Sequence, residues 1–347
     1  MTLSVIVPVY NGGENFRSCL ASLYKARPSP DEIIVVADGD SDGSWRQAEA
    51  FGARVLRLPE PGGPARARNF GARQATGDIL LFVDADVAVG EDIFSRVTAD
   101  FRNEPGLAAL IGSYDDEPGA SNFLSQYKNL LHHYVHQTGR EQASTFWGAC
   151  GAIRREIFWA LDGFNEVYRY PSIEDIELGY RLKRAGHRIK LCKELQVKHL
   201  KRWGIFSLLR SDFRDRALPW TRLILRDGRL INDLNLRLSS RVSVVLSYFL
   251  ALSLAAVWWK LPVLVLAAML ALALFALNAP LYRFFQKKRG LFFMLSAIPW
   301  HWLYFLYSGL AFAVAGLIHT FSARESSTCG RQKAVEDPVN KGNADPS

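Results

Sequence analysis

Two aspartates separated by one residue follow an apolar run of the sequence. Asp84 and Asp86 come after residues 78–83, which read DILLFV and are typical of a buried strand. Ligands bind at the carboxyl ends of strands in parallel sheets, so both carboxylates are placed to reach one cation. Mg²⁺ or Mn²⁺ that is also held by diphosphate oxygens needs only one or two protein carboxylates. The pattern therefore predicts a divalent metal that offsets the charge of a departing diphosphate.

A second acidic pair, Glu174 and Asp175, stands at the start of a predicted helix that Ser172 can cap. Acidic residues in a first helical turn stabilise the helix dipole, which is a sufficient structural explanation. The functional interpretation is a general base, because an ionised carboxylate can accept a proton from an acceptor hydroxyl. The pair alone does not decide between these two interpretations.

Two further segments have side chains suited to contact with a nucleotide or a sugar. Residues 38–43 read DGDSDG, and Asp38 can contact a base or ribose, although a polar turn also explains this composition. Residues 199–203 read HLKRW, where Arg202 can clamp a phosphate and Trp203 can stack on a sugar ring. Tryptophan and arginine are equally common as anchors at a membrane interface.

The elements that must position these residues alternate along the first part of the chain. Apolar runs at 3–9, 32–37, 54–58 and 78–83 predict buried strands, with helical segments between them. This alternation predicts an α/β domain with a mostly parallel sheet. Farther along, we expect helices near 91–103, 121–137, 154–161 and 174–185, and strands near 107–113 and 188–192.

The composition divides the chain into a charged part and an apolar part. The chain has 347 residues and a formal net charge of +8, so two structural parts are expected. Its basic residues cluster before and between the apolar segments, as juxtamembrane charges do, and we expect no nucleic-acid partner. The four cysteines lack C-x-x-C spacing, which argues against a zinc site or a disulfide framework. Three histidines can share one side of a helix, but their spacing favours no metal site: His132, His133 and His136.

The last third of the chain has the pattern of a membrane region. Residues 204–240 interleave arginines with apolar side chains, which is typical of basic amphipathic helices on an anionic membrane surface. A helix packed on the preceding domain is the alternative. The region 241–320 then contains three apolar segments, each suited to a span of about 20 residues. These segments are 242–259, 261–282 and 291–318.

The charges around these segments predict the orientation of the chain. By the positive-inside rule, the arginine-rich stretch and the loop at Arg289 face the cytoplasm, and the third span places the C terminus outside. The N terminus lacks the features of a signal peptide, which predicts a cytosolic domain at 1–203. Residues 321–347 are polar and predict a disordered tail.

Taken together, these motifs resemble the family 2 glycosyltransferases, whose nucleotide-sugar-binding domain has the GT-A fold. The resemblance covers roughly residues 2–203. Five segments carry it: SVIVPVYNGGENFRSCLASL, IIVVADGDSDGS, GGPARARNFGARQATGDILLFVDADV, FWGACGAIRREIFWALDGFNE and SIEDIELGYRLKRAGHRI. HLKRW occupies the place of the Q-x-x-R-W motif of membrane-bound synthases. His199 stands where glutamine is usual, which argues against a processive synthase.

The resemblance implies a role for each candidate residue. Asp175 would be the catalytic base with Glu174 beside it, and Asp86 and Asp84 would bind the divalent cation. The expected nucleotide-sugar-binding residues are Pro8, Tyr10, Asp38, Arg68, Asp84, Arg202 and Trp203. Transfer would be inverting, by in-line attack of an acceptor hydroxyl on the anomeric carbon.

The membrane segments argue for a lipid or lipid-linked acceptor, such as a polyprenyl phosphate. The protein would be a multi-pass protein of the cytoplasmic (inner) membrane, with its catalytic domain facing the cytoplasm. One alternative is a tethered glycosyltransferase that acts on a polysaccharide or soluble acceptor. Another is a non-catalytic partner in sugar-lipid translocation, against which the retained acidic pairs argue. A nucleotidyltransferase would need a Gly-rich loop with Arg and Lys where this chain reads PVYNGGEN.

Overall fold

The computed structural model describes residues 1–228, 236–257 and 260–335, with side chains described as far as Phe321. The first part is a sheet domain. Its strands are β1 (Leu3–Val9), β2 (Glu32–Asp38), β3 (Arg54–Leu58), β4 (Ile79–Val83), β5 (Val87–Val89), β6 (Leu107–Tyr114), β7 (Cys150–Arg154) and β8 (Arg188–His199). Its helices are α1 (Gly13–Lys25), α2 (Ser44–Ala50), α3 (Pro64–Gln74), α4 (Ile93–Asn103), α5 (Phe123–Gln137), α6 (Arg155–Ala160) and α7 (Glu174–Arg184).

The eight strands form one sheet in the order β3-β2-β1-β4-β7-β6-β8-β5. The first four strands are parallel to one another, as the alternation of strands and helices predicted. Strand β7 runs antiparallel to both β4 and β6, and β5 runs antiparallel to β8, so the whole sheet is mixed. Strands β1 and β4 are almost wholly buried, which explains their continuous apolar sequences.

The sheet differs from the predicted one in its second half. Strands β5 and β7 were not predicted, since both are short and lie among loop-like sequence. Strand β8 continues past the predicted end at 192 to His199, which pairs with Val87 of β5. Polar residues such as Lys193 and Glu194 hid this extension in the sequence. As a result, HLKRW begins on a strand that pairs with β5 and lies beside the loop after β4.

The helices of the second part connect the sheet domain to three long apolar helices. They are α8 (Ile205–Arg210), a π-helix (Ser211–Ala217), α9 (Leu218–Asp227), α10 (Leu238–Ala256), α11 (Val263–Arg289) and α12 (Leu291–Val335). By length and composition, α10, α11 and the Leu291–Phe321 part of α12 are candidate membrane spans, and they overlap the three predicted segments. Gly290, with a φ of +86°, separates α11 from α12.

Parts of the predicted membrane region lie outside the described residues. These are 229–235 of the basic stretch, 258–259 of the first predicted span and 336–347 of the predicted tail. The helix α12 extends to Val335, into the segment that was predicted to be disordered.

The basic stretch packs on the sheet domain through its apolar side chains. Leu223 of α9 contacts Ile173 and Tyr180, and Leu208 of α8 contacts Trp203. Helix α9 and the π-helix also pack against α12. The arginines lie on the exposed side: Arg210, Arg214, Arg216, Arg222 and Arg226. The stretch therefore packs on the preceding domain, as the alternative interpretation has it, while its contact with a membrane surface stays a prediction.

Candidate active site

The loop after β4 places both predicted metal ligands at the edge of the sheet. The backbone N–H of Asp84 donates to the carbonyl of Ala149, 3.3 Å away. The N–H of Leu200, just beyond β8, donates to the carbonyl of Asp86 at 2.8 Å. The two aspartates are thus held between the start of β7 and the end of β8. Both side chains remain about one-third exposed, at 32% for Asp84 and 31% for Asp86.

A buried arginine joins the two acidic pairs. Arg68 of α3 is 4% exposed and donates from Nη2 to Asp84 Oδ1 at 2.6 Å and from Nη1 to Glu174 Oε1 at 2.8 Å. Its guanidinium also lies 5.3 Å from the centre of the Phe164 ring. Since Glu174 begins α7 and Asp84 follows β4, Arg68 fixes the distance between the metal-side and base-side carboxylates.

Asp175 lies next to this network and has no arginine of its own within ion-pair distance among the described residues. Its oxygens accept backbone hydrogen bonds from Gly148 at 3.0 Å and from Ile176 at 2.7 Å. Burial, together with the charge of Glu174, raises the pKa of Asp175 to about 6. A base with this pKa is mostly ionised at neutral pH and still basic enough to accept a proton.

The two metal-side aspartates have different surroundings. Burial raises the pKa of Asp84 above its ordinary value, and the negative charge of Asp86 raises it further. The positive charge of Arg68 acts in the opposite direction but does not cancel the rise. Burial opposes ionisation of Asp86 too, but His199 and Lys201 hold the pKa of Asp86 below its ordinary range. The Nε2 atom of His199 lies 3.8 Å from Asp86 Oδ2. Asp86 is therefore the more persistent anion of the two.

The donor set fits a hard divalent cation that the protein shares with a ligand. Within the described residues, no group of three or more His, Cys, Asp or Glu side chains could enclose a metal. Asp84 and Asp86 offer partly exposed carboxylate oxygens, and Arg68 occupies only Oδ1 of Asp84. Mg²⁺ and Mn²⁺ accept this arrangement when phosphate oxygens and water complete the coordination.

Asp38 lies at the same edge of the sheet but is engaged by the backbone. It is 4% exposed, and its carboxylate accepts hydrogen bonds from the N–H groups of Gly62 and Gly63 at 2.8–3.1 Å. Next to it, Gly39 has a φ of +67°, and a Cβ there would lie 2.4 Å from the nitrogen of Pro61. Asp38 therefore braces the loop before α3, and its contact with a base stays a prediction.

Two other predicted donor contacts belong to β1, which lies between β2 and β4. Pro8 is half-buried within the strand, and Tyr10 directly follows it with 58% of its surface exposed. The sheet order thus brings Tyr10 to the edge that carries Asp38 and Asp84.

The HLKRW segment separates into an exposed and a buried part. Arg202 is exposed, as a phosphate contact would require. Trp203 is 6% exposed and is fastened to α5, since its N–H donates to Ser125 Oγ and its carbonyl accepts from Asn122 Nδ2, both at 2.8 Å. Its indole N–H is buried without a hydrogen-bond partner among the described residues. The packing role of Trp203 is clear, and stacking on a sugar stays a prediction.

An aromatic wall beside Asp86 was not identified from the sequence. The ring of Tyr114, at the end of β6, stacks on His199 with centroids 4.4 Å apart. Trp147 meets Tyr114 edge-on at 4.7 Å. These residues come from three distant segments, so only the fold brings them together. The sequence signals were that Trp147 lies in one of the family-like segments and that His199 begins HLKRW.

The histidines of α5 pack behind this wall. Nδ1 of His133 lies 2.7 Å from the carbonyl of Tyr114, and Nδ1 of His136 lies 3.1 Å from the carbonyl of Gly112. The ring of His132 lies 5.3 Å from Trp147. These contacts fasten α5 to β6 and give a structural reason for the histidines.

Comparison with known sequences identifies the sheet domain. The family described as Glycosyl transferase family 2 matches residues 4–162, from β1 through α6, and the match includes Arg68, Asp84 and Asp86. Residues 4–162 are a family 2 glycosyltransferase domain. The resemblance seen in the motifs is thereby confirmed, while Glu174 and Asp175 lie beyond the matched residues.

Individual relatives align with stretches of this chain that differ in length. Glycosyltransferase GlyG of Streptococcus pneumoniae is 30% identical over 126 residues, or 35% of this chain and 42% of that protein. Poly-beta-1,6-N-acetyl-D-glucosamine synthase of Staphylococcus aureus is 28% identical over 209 residues, or 54% of this chain and 47% of that protein. The chain thus aligns with less than half the length of these relatives.

A solved structure resembles most of this chain. Mannosyltransferase PcManGT from Pyrobaculum calidifontis, in complex with GDP-Man and Mn²⁺, superposes with a TM-score of 0.63 at 18% identity. The likeness covers 90% of this chain and 86% of that one, so it extends beyond the sheet domain into the helices. It confirms the predicted GT-A fold followed by helices.

Proposed function

We propose that this protein is a metal-dependent, inverting glycosyltransferase that moves a sugar from a nucleotide-sugar to a membrane lipid or lipid-linked acceptor. The observation that carries the proposal is the Asp84–Arg68–Glu174 network. It holds a metal-side carboxylate pair and a base-side carboxylate pair at a fixed separation in one cleft. An enzyme that positions a donor diphosphate on one side and an acceptor on the other needs this arrangement.

On the donor side, Asp84 and Asp86 would hold Mg²⁺ or Mn²⁺ together with the diphosphate. When bound, the cation supplies positive charge to the departing nucleoside diphosphate. Tyr10 and Asp38, at the neighbouring strand ends, would contact the nucleoside, and the exposed Arg202 would contact a phosphate.

On the acceptor side, Asp175 would accept the proton of an attacking hydroxyl. The acceptor oxygen forms a bond to the anomeric carbon while the bond from that carbon to the diphosphate oxygen breaks, and its electron pair leaves with the nucleoside diphosphate. Attack from the face opposite the leaving group inverts the anomeric centre. A phosphate acceptor is already ionised near neutral pH, and then Asp175 has no proton to remove.

The way the helices adjoin the site supports a lipid acceptor. Residues 1–203 would form the catalytic domain and 204–240 the interfacial helices, ahead of a transmembrane region at 241–320. The π-helix in the interfacial part packs against the candidate span of α12, and it contacts the sheet domain through Lys128 and Ser172. An acceptor could therefore enter from the bilayer surface while its tail stays in hydrocarbon.

The expected location is the cytoplasmic membrane, with the catalytic domain on the cytoplasmic side, where nucleotide-sugars are available. Lys287, Lys288 and Arg289 end α11 beside the sheet domain, and Arg289 donates to Gln126 of α5 at 2.8 Å. These positive charges agree with a cytoplasmic position of that end of the helix. A reporter near Arg289 should read as cytoplasmic, and one after Ser347 as non-cytoplasmic.

A polysaccharide acceptor is the second candidate, since one relative is named as a poly-N-acetylglucosamine synthase. To separate the two, membranes that contain the protein would be incubated with radiolabelled UDP- and GDP-sugars and extracted with organic solvent. We expect label in the lipid phase that is lost in Asp175→Asn with a hydroxyl-bearing acceptor. The matched control is Asp162→Asn, the same chemical change on an exposed turn. Label confined to water-soluble or polymeric products would contradict the lipid acceptor.

A further inference from the structure

We propose that Arg216, from the π-helix, binds the anionic head of the acceptor and that this head is a phosphate group. The inference rests on the proposed function, since it assigns the head-group contact of the same acceptor. It names a residue outside the motifs that suggested the site and outside the residues matched by the family.

The π-helix is anchored on two sides by the residue one turn before Arg216. Asp212 is 6% exposed, and its Oδ1 lies 2.5 Å from Lys128 Nζ of α5. Its Oδ2 accepts a hydrogen bond from Tyr307 Oη of α12 at 2.7 Å. One buried carboxylate thus ties together the catalytic domain, the π-helix and a candidate membrane span. The position of Arg216 relative to all three is fixed by these contacts.

The residue just before Arg216 is bound to the segment that carries the candidate base. Ser172 Oγ donates to the carbonyl of Asp215 at 2.7 Å. The N–H of Ser172 in turn donates to Glu174 Oε2 at 2.9 Å. Two hydrogen bonds therefore link the backbone of the π-helix to the start of α7. This places Arg216 at the junction of the acceptor side of the cleft and the membrane helices.

In the part of the chain that the structure describes, no carboxylate forms a close ion pair with Arg216. Asp212, the acidic residue one turn earlier and the strongest charge acting on Arg216, is already satisfied by Lys128 and Tyr307. Burial alone would lower the pKa of the Arg216 guanidinium. The charges of four neighbouring groups outweigh that effect and raise this pKa above its ordinary value: Asp212, Tyr114, Asp175 and Glu174. The side chain is nevertheless exposed at its surface. It is therefore a cation that faces the acidic cleft and is open to a ligand.

The charge balance of the cleft explains why an anionic acceptor would need this cation. Four carboxylates line it, and Arg68, its buried cation, is committed to Asp84 and Glu174. A phosphate brought beside Asp175 would be repelled unless a positive group met it on the acceptor side. A guanidinium presents two parallel N–H donors that match phosphate oxygens, which an ammonium does not.

The test compares two arginines of the same helix in the full-length protein, reconstituted in phospholipid vesicles. The variants are Arg216→Met, Arg216→Lys and, as matched control, Arg214→Met, which is also exposed. The acceptors are a short polyprenyl phosphate and the corresponding polyprenol. Donor binding and the melting temperature are measured on every variant to confirm that it is folded.

For Arg216→Met we expect the KM for polyprenyl phosphate to rise about tenfold or more, as loss of a charged hydrogen bond implies. Donor affinity should stay unchanged, and Arg216→Lys should recover part of the loss because it keeps the charge. Arg214→Met should behave like the wild type. An unchanged KM would overturn the inference. So would weakened donor binding, which would move Arg216 to the donor diphosphate, or an equal loss with the polyprenol.

The outcomes also separate this inference from the proposed function. If the wild type labels polyprenyl phosphate and Arg216→Met matches Arg214→Met, the lipid acceptor stands and the role of Arg216 is wrong. If the wild type labels neither lipid but makes a polymer, both proposals fail together.

Discussion

The two acidic pairs of the cleft share one arginine but differ in the group that remains free. Arg68 binds Asp84 of one pair and Glu174 of the other, which leaves Asp86 and Asp175 for ligands. Beside Asp86, His199 and Lys201 favour the charged carboxylate. Beside Asp175, burial and Glu174 disfavour it.

This difference in pKa suits the two aspartates to different tasks. A carboxylate whose pKa is held low stays anionic and suits a cation. A carboxylate whose pKa is raised to about 6 suits proton transfer near neutral pH. The two environments therefore support the proposed roles, a cation ligand for Asp86 and a base for Asp175. Substitutions of Asp86, Asp175 and Arg68 test this difference, and Asp86 should give the largest effect.

Asp86→Ala should abolish turnover of the nucleotide-sugar. The change removes the persistent anion of the metal-side pair, while its partly exposed position leaves the core intact. Binding of Mn²⁺ in the presence of nucleoside diphosphate, followed by calorimetry, should be lost as well. Asp92→Ala, which removes an exposed aspartate, is the control. Full activity in Asp86→Ala would remove the metal role from this residue.

Asp175→Asn should reduce transfer to a hydroxyl acceptor by roughly 10²–10⁴-fold, the usual contribution of a positioned general base. The affinity for the donor should change little, since no donor contact is removed. Steady-state transfer and equilibrium donor binding check the two parts separately. Loss of donor binding instead would show that Asp175 belongs to the donor side.

Arg68→Met should destabilise the fold by roughly 3–5 kcal/mol, because a buried carboxylate is left without its cation. Glu174, whose side chain is 6% exposed, accounts for most of this effect. Chemical denaturation measures it, with Arg73→Met as control, since Arg73 lies on the same helix but is paired at the surface. Equal stability of the two variants would mean that Arg68 does not hold the pairs together.

The sequence predicted one side of this comparison better than the other. Asp84 and Asp86 follow a strand whose apolar run is continuous, so a short local sequence indicated both the strand, which is confirmed, and the metal site, which stays a prediction. Arg68 was implied by the family resemblance, but its bridge to Glu174 joins residues far apart in the chain and has no local signature.

The same limit applies to the second half of the sheet and to the helices. Strand β8 alternates buried and exposed residues up to His199, and its polar residues obscured its true length. The position of Arg216 depends on long-range contacts of the π-helix. Asp212 binds Lys128 and Tyr307, and the carbonyl of Asp215 accepts a hydrogen bond from Ser172. In the sequence, Arg216 was one of several interleaved arginines, and nothing local distinguished it.

The pH profile gives the smallest effect and the sharpest test of the comparison. Since Asp175 must be ionised to accept a proton, kcat/KM for a hydroxyl acceptor should fall about tenfold per pH unit below about 6. Asp86 should not contribute to this fall, because its pKa lies below the ordinary value. Asp175→Asn should lose the inflection near pH 6 and keep a flat residual rate.

The same pKa also predicts the sign of a stability effect. A carboxyl whose pKa is raised on folding binds its proton more tightly in the native state, so its contribution to stability is lost as pH rises through about 6. The melting temperature of Asp175→Asn should therefore improve relative to wild type as the pH rises from about 4 to about 6, and the difference should stay level above that. Asp162→Asn should show no such trend, since Asp162 is exposed. A phosphate acceptor titrates near pH 6 by itself. An inflection that persists in Asp175→Asn would therefore belong to the acceptor and would remove the base role from Asp175.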